Sequence, residues 1–183
     1  MDLHCPRCNA AGTLQVAQLD KGLDAPCCNR CHGSWLELSR WRDWRSKQPA
    51  ATKPEPVVSN AHLLEPEAPQ VGTCPQCQRL MSRLRVAVGL PFRLDRCVSC
   101  QHVWIDGGEW LAMSQHGYQL VLDDVVSDRW QRLVREAEAS QAREAAWSER
   151  LGAEVYNEIL KIRNWLDAQP NRAALMSFLQ RDD

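Results

Sequence analysis

Between residues 82 and 95 the chain alternates. Leu84, Val86 and Val88 interleave with Arg83, Arg85 and Ala87, and Phe92 and Leu94 interleave with Arg93 and Asp95. Gly89 to Pro91 interrupt the alternation with turn chemistry, so the stretch predicts a strand, a turn and a strand. Residues 13–24 follow the same plan, with Asp20 to Gly22 at the turn. From Tyr118 the period changes. Val126, Trp130, Leu133, Ala137 and Ala145 fall near one face of a helix from about Asp124 to about Arg150, and Gly152 breaks it. Leu151, Val155, Ile159, Ile162 and Leu166 follow at steps of four, four, three and four, an amphipathic stripe. Pro170 suits the first turn of a last short helix carrying Leu175, Phe178 and Leu179. Residues 47–72 hold five of the ten prolines and read as an extended, semi-rigid tether. Val57, Val58, Leu63 and Leu64 within it are a candidate docking motif, with an ordinary linker favoured.

The two alternating stretches belong to an internal duplication. A shift of 69 positions places Cys5 on Cys74, Cys8 on Cys77, Cys28 on Cys97 and Cys31 on Cys100, without a gap. Pro6 falls on Pro75, Trp35 on Trp104 and Trp41 on Trp110. Each copy reads C-P-x-C, nineteen residues, C-x-x-C, three residues, Trp. Two Cys separated by two residues share one tight turn, so both sulfurs reach one ion, and two such turns complete a thiolate tetrahedron for Zn²⁺. Nineteen residues suffice for an out-and-back hairpin between them. The expected ligands are Cys5, Cys8, Cys28 and Cys31 for one zinc, and Cys74, Cys77, Cys97 and Cys100 for a second. Redox dithiols or disulfides are the competing reading. They need an oxidising compartment or a thioredoxin-like context, and neither is visible.

Cys27 falls opposite Arg96, outside the ligand set, and is read as a plain thiol; a shifted register would let it replace Cys28. The five His do not repeat between copies and are read as non-ligands, His4 and His32 being candidates to support neighbouring ligands. Trp35 and Trp104 are expected to cover the small sheets and their zinc ends. Trp44, matched by Met113, is the best candidate for an exposed anchor. Asp106 followed by Glu109 predicts an N-cap and a capping-box-like start to a short helix.

The pattern C-P-x-C, about nineteen residues, C-x-x-C-x-x-x-W-[LI]-[ED] resembles the transcription-factor-IIB-like zinc ribbon of many bacterial proteins. The second copy, CPQC through CVSCQHVWIDGGEW, carries the likeness best; the first departs after Trp35, where Ser39 and Arg40 replace Gly and Glu. The resemblance covers residues 3–44 and 72–114. It implies a rubredoxin-like zinc knuckle and a role in contacting nucleic acid or other proteins. The expected organisation is zinc ribbon 1 (1–46), Pro-rich linker (47–72), zinc ribbon 2 (73–117) and helical tail (118–183). This is an α+β, multi-domain chain of small zinc-stabilised β units plus helices, in which the ribbons need not form one rigid body.

Charge narrows the function. The 183 residues carry 22 basic and 23 acidic side chains, a net of −1, which excludes a strongly cationic nucleic-acid coat. Residues 1–48 and 73–118 are each +2, residues 49–72 are −2 and residues 119–183 are −3, so the ribbons are mildly basic and the tail acidic. Arg83, Arg85 and Arg93 share one side of the alternating strands and are the candidate phosphate contacts, against a plain solvated face. Apolar runs are too short to span a membrane, and MDLHCPRC does not start like a signal peptide, so a cytoplasmic location is expected. No Gly-rich phosphate loop, H-E-x-x-H or nucleophile elbow is present, and zinc closed by four Cys has no open position, so no enzyme is expected. The expected role is a zinc-binding adaptor contacting proteins in a transcription-related setting, with weak direct nucleic-acid binding as the alternative. The tail's stripes are read as packing within the chain, against a partner or self-association.

Overall fold

The computed structural model describes residues 3–9, 12, 14–50, 52–56 and 71–181. The chain is α+β. It divides into a compact unit ending at Ala137 and another from Glu138 on. His62 and the motif at Val57, Val58, Leu63 and Leu64 lie outside the described residues.

The first copy forms β1 (Leu14–Asp20), β2 (Leu23–Cys28) and β3 (Ser34–Glu37), then helix α1 (Leu38–Arg45). The second forms β4 (Ser82–Arg85), β5 (Arg93–Cys97) and β6 (His102–Ile105), then α2 (Glu109–Gln115). A two-residue turn joins β1 to β2, with Gly22 at φ 79°, where a Cβ is disfavoured. The alternation in copy two overruns its strand. β4 stops at Arg85 because Val86, Ala87 and Val88 turn inward and bury, and the Trp130 indole N–H takes the Val86 carbonyl at 2.7 Å.

The copies do not stay separate. All six strands form one antiparallel sheet in the order β1-β2-β3-β6-β5-β4. At its centre β3 pairs with β6, and Trp35 lies opposite Trp104, its own counterpart in the duplication. The sheet therefore has a local pseudo-twofold through that pair, the geometry of an isologous dimer within one chain. The pairings Cys27↔Ser34 and Arg96↔Val103 are related by the same 69-residue shift. The outer hairpins differ by a slip of two residues, Gln15↔Cys27 against Ser82↔Arg96, and an even slip keeps every side chain on its face.

One sheet face builds the main core. Leu23, Ala25, Leu36, Phe92, Leu94, Val103 and Ile105 pack there with Trp41, Trp44, Trp110 and Met113 of α1 and α2. Trp44, the best candidate for an exposed anchor, is buried: it meets the Trp110 ring edge-on at 5.8 Å, and its indole N–H donates to the Lys21 carbonyl at 3.1 Å. The opposite face carries Trp35, Trp104, Met81 and the buried cysteines.

The expected tail boundary at 118 cuts through this core. A 3₁₀ turn (Tyr118–Leu120), α3 (Leu122–Val125) and the start of α4 (Asp128–Leu151) supply Tyr118, Leu122, Val125, Trp130 and Val134 to it. The described part of the tether is docked as well. Val88 N–H donates to the Pro56 carbonyl at 2.8 Å, the Tyr118 hydroxyl donates to the Glu55 carbonyl at 2.6 Å, and Lys53 pairs with Asp124. Burial, helped by the Glu55 charge, pushes the Tyr118 hydroxyl up to about 12.

In the second unit, Gly152 (φ 80°) separates α4 from α5 (Ala153–Asp167), and α6 (Arg172–Leu179) follows Asn171, with Pro170 just before the helix rather than in its first turn. Leu166 is buried, whereas Val155, Ile159, Ile162 and Trp165 are exposed. Among the described residues, no helix is long and apolar enough to cross a membrane.

Candidate metal centres

Each half of the sheet gathers its four repeated cysteines at one end. Cys28 and Cys97 terminate β2 and β5, and the other pairs come from turns that fold back over them. In each set, Cys5, Cys8, Cys28, Cys31 and Cys74, Cys77, Cys97, Cys100, the four sulfurs lie within 4.8 Å of one another. The sulfurs are free thiols, not disulfides. Their spacing suits a metal. A tetrahedron with zinc–sulfur bonds of 2.3 Å has edges of about 3.8 Å. The separations are 3.5 Å for Cys5–Cys31, 3.8 Å for Cys74–Cys100 and 3.6 Å for Cys77–Cys97. The donor set, four soft sulfurs at tetrahedral spacing, fits Zn²⁺ in both places. In each pair the first Cys is buried and the second partly exposed, so each centre opens to solvent on one side.

Backbone amides converge on the sulfurs. Cys8 N–H reaches the Cys5 sulfur at 3.3 Å, and Gln76 and Cys77 N–H both reach the Cys74 sulfur at 3.4 Å. Arg30 and Cys100 N–H approach the sulfurs of Cys28 and Cys97 at 3.4 Å. Such bonds favour thiolate, yet burial acts against it. Burial pushes the thiols of Cys5, Cys31, Cys74 and Cys100 up. Cys77 is held down at about 7, chiefly by the backbone N–H of Arg79. Four thiolates this close repel one another, and a divalent cation removes that conflict.

One feature of the knuckles escaped the sequence reading. Asn9, His32, Gln78 and Gln101 each follow the second Cys of a pair, and all four have positive φ, between 49° and 59°. Their amides close the turn, as in Asn9, His32 and Gln78, which donate to the carbonyls of Cys5, Cys28 and Cys74 at 2.9 Å. Left-handed backbone costs a non-glycine residue on the order of 1–3 kcal/mol. Four such residues at duplicated positions are held by the sulfur clusters. The available signal was Asn and His, which tolerate this conformation better than most.

The two halves are tied together by charge. Arg7, between Cys5 and Cys8, reaches across to the second copy. Its guanidinium lies 2.6 Å from Asp106 and 3.4 Å from Asp95, and the Asp95 side chain is fully buried. Burial raises the Asp95 carboxyl; the Gly72 N–H, Arg7 and Arg83 pull it back down. Asp106 also accepts the Trp104 indole N–H at 2.6 Å. It is therefore not the expected N-cap. Gly108 occupies that position, and only half of the capping box forms, with Glu109 accepting the Asp106 N–H at 2.8 Å.

Arg83, Arg85 and Arg93 do share a face, Arg85 lying opposite Arg93 and Arg83 opposite Asp95. The Arg83 side chain is 13% exposed and lies 3.4 Å from the Asp95 carboxylate, so its charge is spent inside the protein. Cys27 stands apart from both clusters, near the Ser34 hydroxyl at 3.2 Å. No His joins either cysteine set among the described residues. His102 stacks on Trp35 at 5.0 Å instead. Comparison with protein-family models, with curated proteins and with solved structures finds no match.

Proposed function

We propose that this chain is a non-enzymatic zinc-binding adaptor. Two structural four-cysteine zinc ribbons, rubredoxin-like and of the transcription-factor-IIB type, are fused edge to edge and present surfaces to protein partners in a transcription-related setting. The observation that carries the reading is the closed donor set: four sulfurs at zinc spacing in each half. With every coordination position taken by protein, such an ion staples the fold and offers no site for activating water. Zinc in small domains of this kind contributes about 10–16 kcal/mol to folding. The fused sheet then serves as a rigid mount for the contact surfaces of its own unit, and the exposed apolar residues of α5 supply a separate surface in the second unit.

Direct phosphate binding through Arg83, Arg85 and Arg93 is the weaker alternative, because Asp95 neutralises part of that face. A salt series on zinc-loaded, nuclease-treated protein separates the two. The adaptor reading expects no binding to single- or double-stranded nucleic acid at low salt. Binding with a steep log-salt slope, reduced in Arg85→Ala and Arg93→Ala, would reverse the order.

A further inference from the structure

We propose that a cavity beside Trp35 binds an arginine side chain presented by an extended peptide. The cavity, about 340 Å³, opens in the first half of the sheet and is large enough for such a group. Its walls include Gln76, Pro26 and Glu37. The 69-residue shift equates these with Arg7, Asp95 and Asp106. In the second half those three positions are occupied by an ion-paired cluster: the Arg7 guanidinium on Asp106 and Asp95, with Asp106 also holding the Trp104 indole N–H. In the first half the cation is replaced by the short, neutral Gln76, and the space stays open. The Trp35 indole N–H, counterpart of the Trp104 donor, is buried and lacks a hydrogen-bond partner. Glu37 turns toward Arg40 at 3.6 Å and accepts the Ser39 hydroxyl, two exposed contacts that are cheap to break.

The duplicated half thus shows which group completes this site. A guanidinium in the place of Arg7 draws the Glu37 carboxylate inward, as Arg7 draws Asp106, and gives the Trp35 donor an acceptor. Asp24 on the rim adds a second carboxylate against the single guanidinium of Arg40, so the wall keeps a net charge of −1 with His102 neutral and favours a cation over an anion. Arginine suits the role better than lysine because its planar fork can serve two acceptors at once.

The source of the arginine follows from the sheet edges. Val16 of β1 forms part of the cavity wall and is 71% exposed. β1 is an outer strand, exposed from Gln15 to Gln18. The opposite outer strand, β4, is sealed by the Gln131 amide, which accepts the Arg85 N–H at 3.0 Å and donates to the Arg85 carbonyl at 2.8 Å. An extended segment added along β1 passes the mouth of the cavity and can lower one side chain into it.

The inference shares with the adaptor reading only that the partner is a polypeptide. The test is the assigned Trp35 indole ¹H–¹⁵N resonance of the full, zinc-loaded chain, titrated with N-acetyl-arginine-N-methylamide. A saturable shift is expected, weakened about tenfold or more in Glu37→Gln, since a charged hydrogen-bond partner is lost. In Gln76→Arg the new side chain fills the cavity, so the resonance moves without probe and the titration response disappears. The capped pentapeptide Val-Thr-Arg-Val-Thr binds more tightly than the capped arginine and perturbs the β1 amides. An absent shift, an equal response to the citrulline analogue, or a response that survives in Gln76→Arg overturns the site. Equal affinity of peptide and capped arginine overturns the strand-addition part. Zinc content measured on the same samples keeps the zinc reading separate, since it stands if two ions are retained while arginine fails to bind.

Discussion

Arg7→Gln tests how the two halves are held together. Gln is the residue that the second copy carries at the matching position, so the knuckle itself tolerates it. The substitution removes the cation from Asp106 and from Asp95, whose side chain is fully buried. Removing one member of a buried ion pair costs about 3–5 kcal/mol. Asp95 keeps Arg83 at 3.4 Å and the Gly72 N–H at 3.3 Å, which places the expected loss near the lower end, about 3 kcal/mol. With urea slopes of about 1–3 kcal/mol/M, the unfolding midpoint of the zinc-loaded protein should fall by roughly 1–3 M. A double-mutant cycle with Asp95→Asn should show a coupling of about 1–3 kcal/mol, because the double variant leaves no buried charge behind. The pH dependence has a definite sign. A raised folded-state carboxyl contributes stability below its unfolded value that is lost as pH rises through the folded value. Loss of Arg7 raises Asp95 further, so the deficit should shrink on acidification as Asp95 protonates. A deficit under about 0.5 kcal/mol, or strict additivity with Asp95→Asn, would refute the argument.

Further outcomes follow from the same geometry. Cys74→Ser should lose one zinc and also lower the thermal stability of the first half, because β3 pairs with β6. Helical circular dichroism from the second unit should persist, and an unchanged first half would contradict the shared sheet. Zinc retention should fall as pH drops, since zinc binds thiolate and burial raises Cys5, Cys31, Cys74 and Cys100. Protons must leave for zinc to enter, so a chromogenic chelator should capture zinc faster at pH 5.5 than at pH 8. Gly33→Ala should destabilise by about 1–3 kcal/mol in calorimetry, because the added Cβ would stand 2.2 Å from the buried Trp104 ring.

The two four-cysteine groupings were legible because metal chemistry fixes residue type and spacing together, and the duplication displays both twice. The first hairpin was legible too, since Asp20 to Gly22 mark its turn between two extended runs. What the sequence hid was mostly long-range. Four-residue strands such as Ser34–Glu37 are too short for a period to show, and nothing local tells β3 that its partner is β6. The same limit explains Trp44, whose burial depends on Trp110 more than sixty residues away. Asp106 has good N-cap chemistry, but Arg7 and the Trp104 indole claim its carboxylate. The core role of the residues from 118 to 134 was hidden for a related reason. Trp130 follows a helical pattern and Tyr118 precedes it, and only the packed structure shows that both close the core over the sheet.

The most direct test of the account is the metal content and sulfur coordination of the purified full chain. Elemental analysis with zinc-edge X-ray absorption should find two zinc ions per chain, each with four sulfurs at about 2.3 Å. One ion or none, or nitrogen or oxygen in the coordination shell, would contradict the closed four-cysteine centres on which the fused sheet rests.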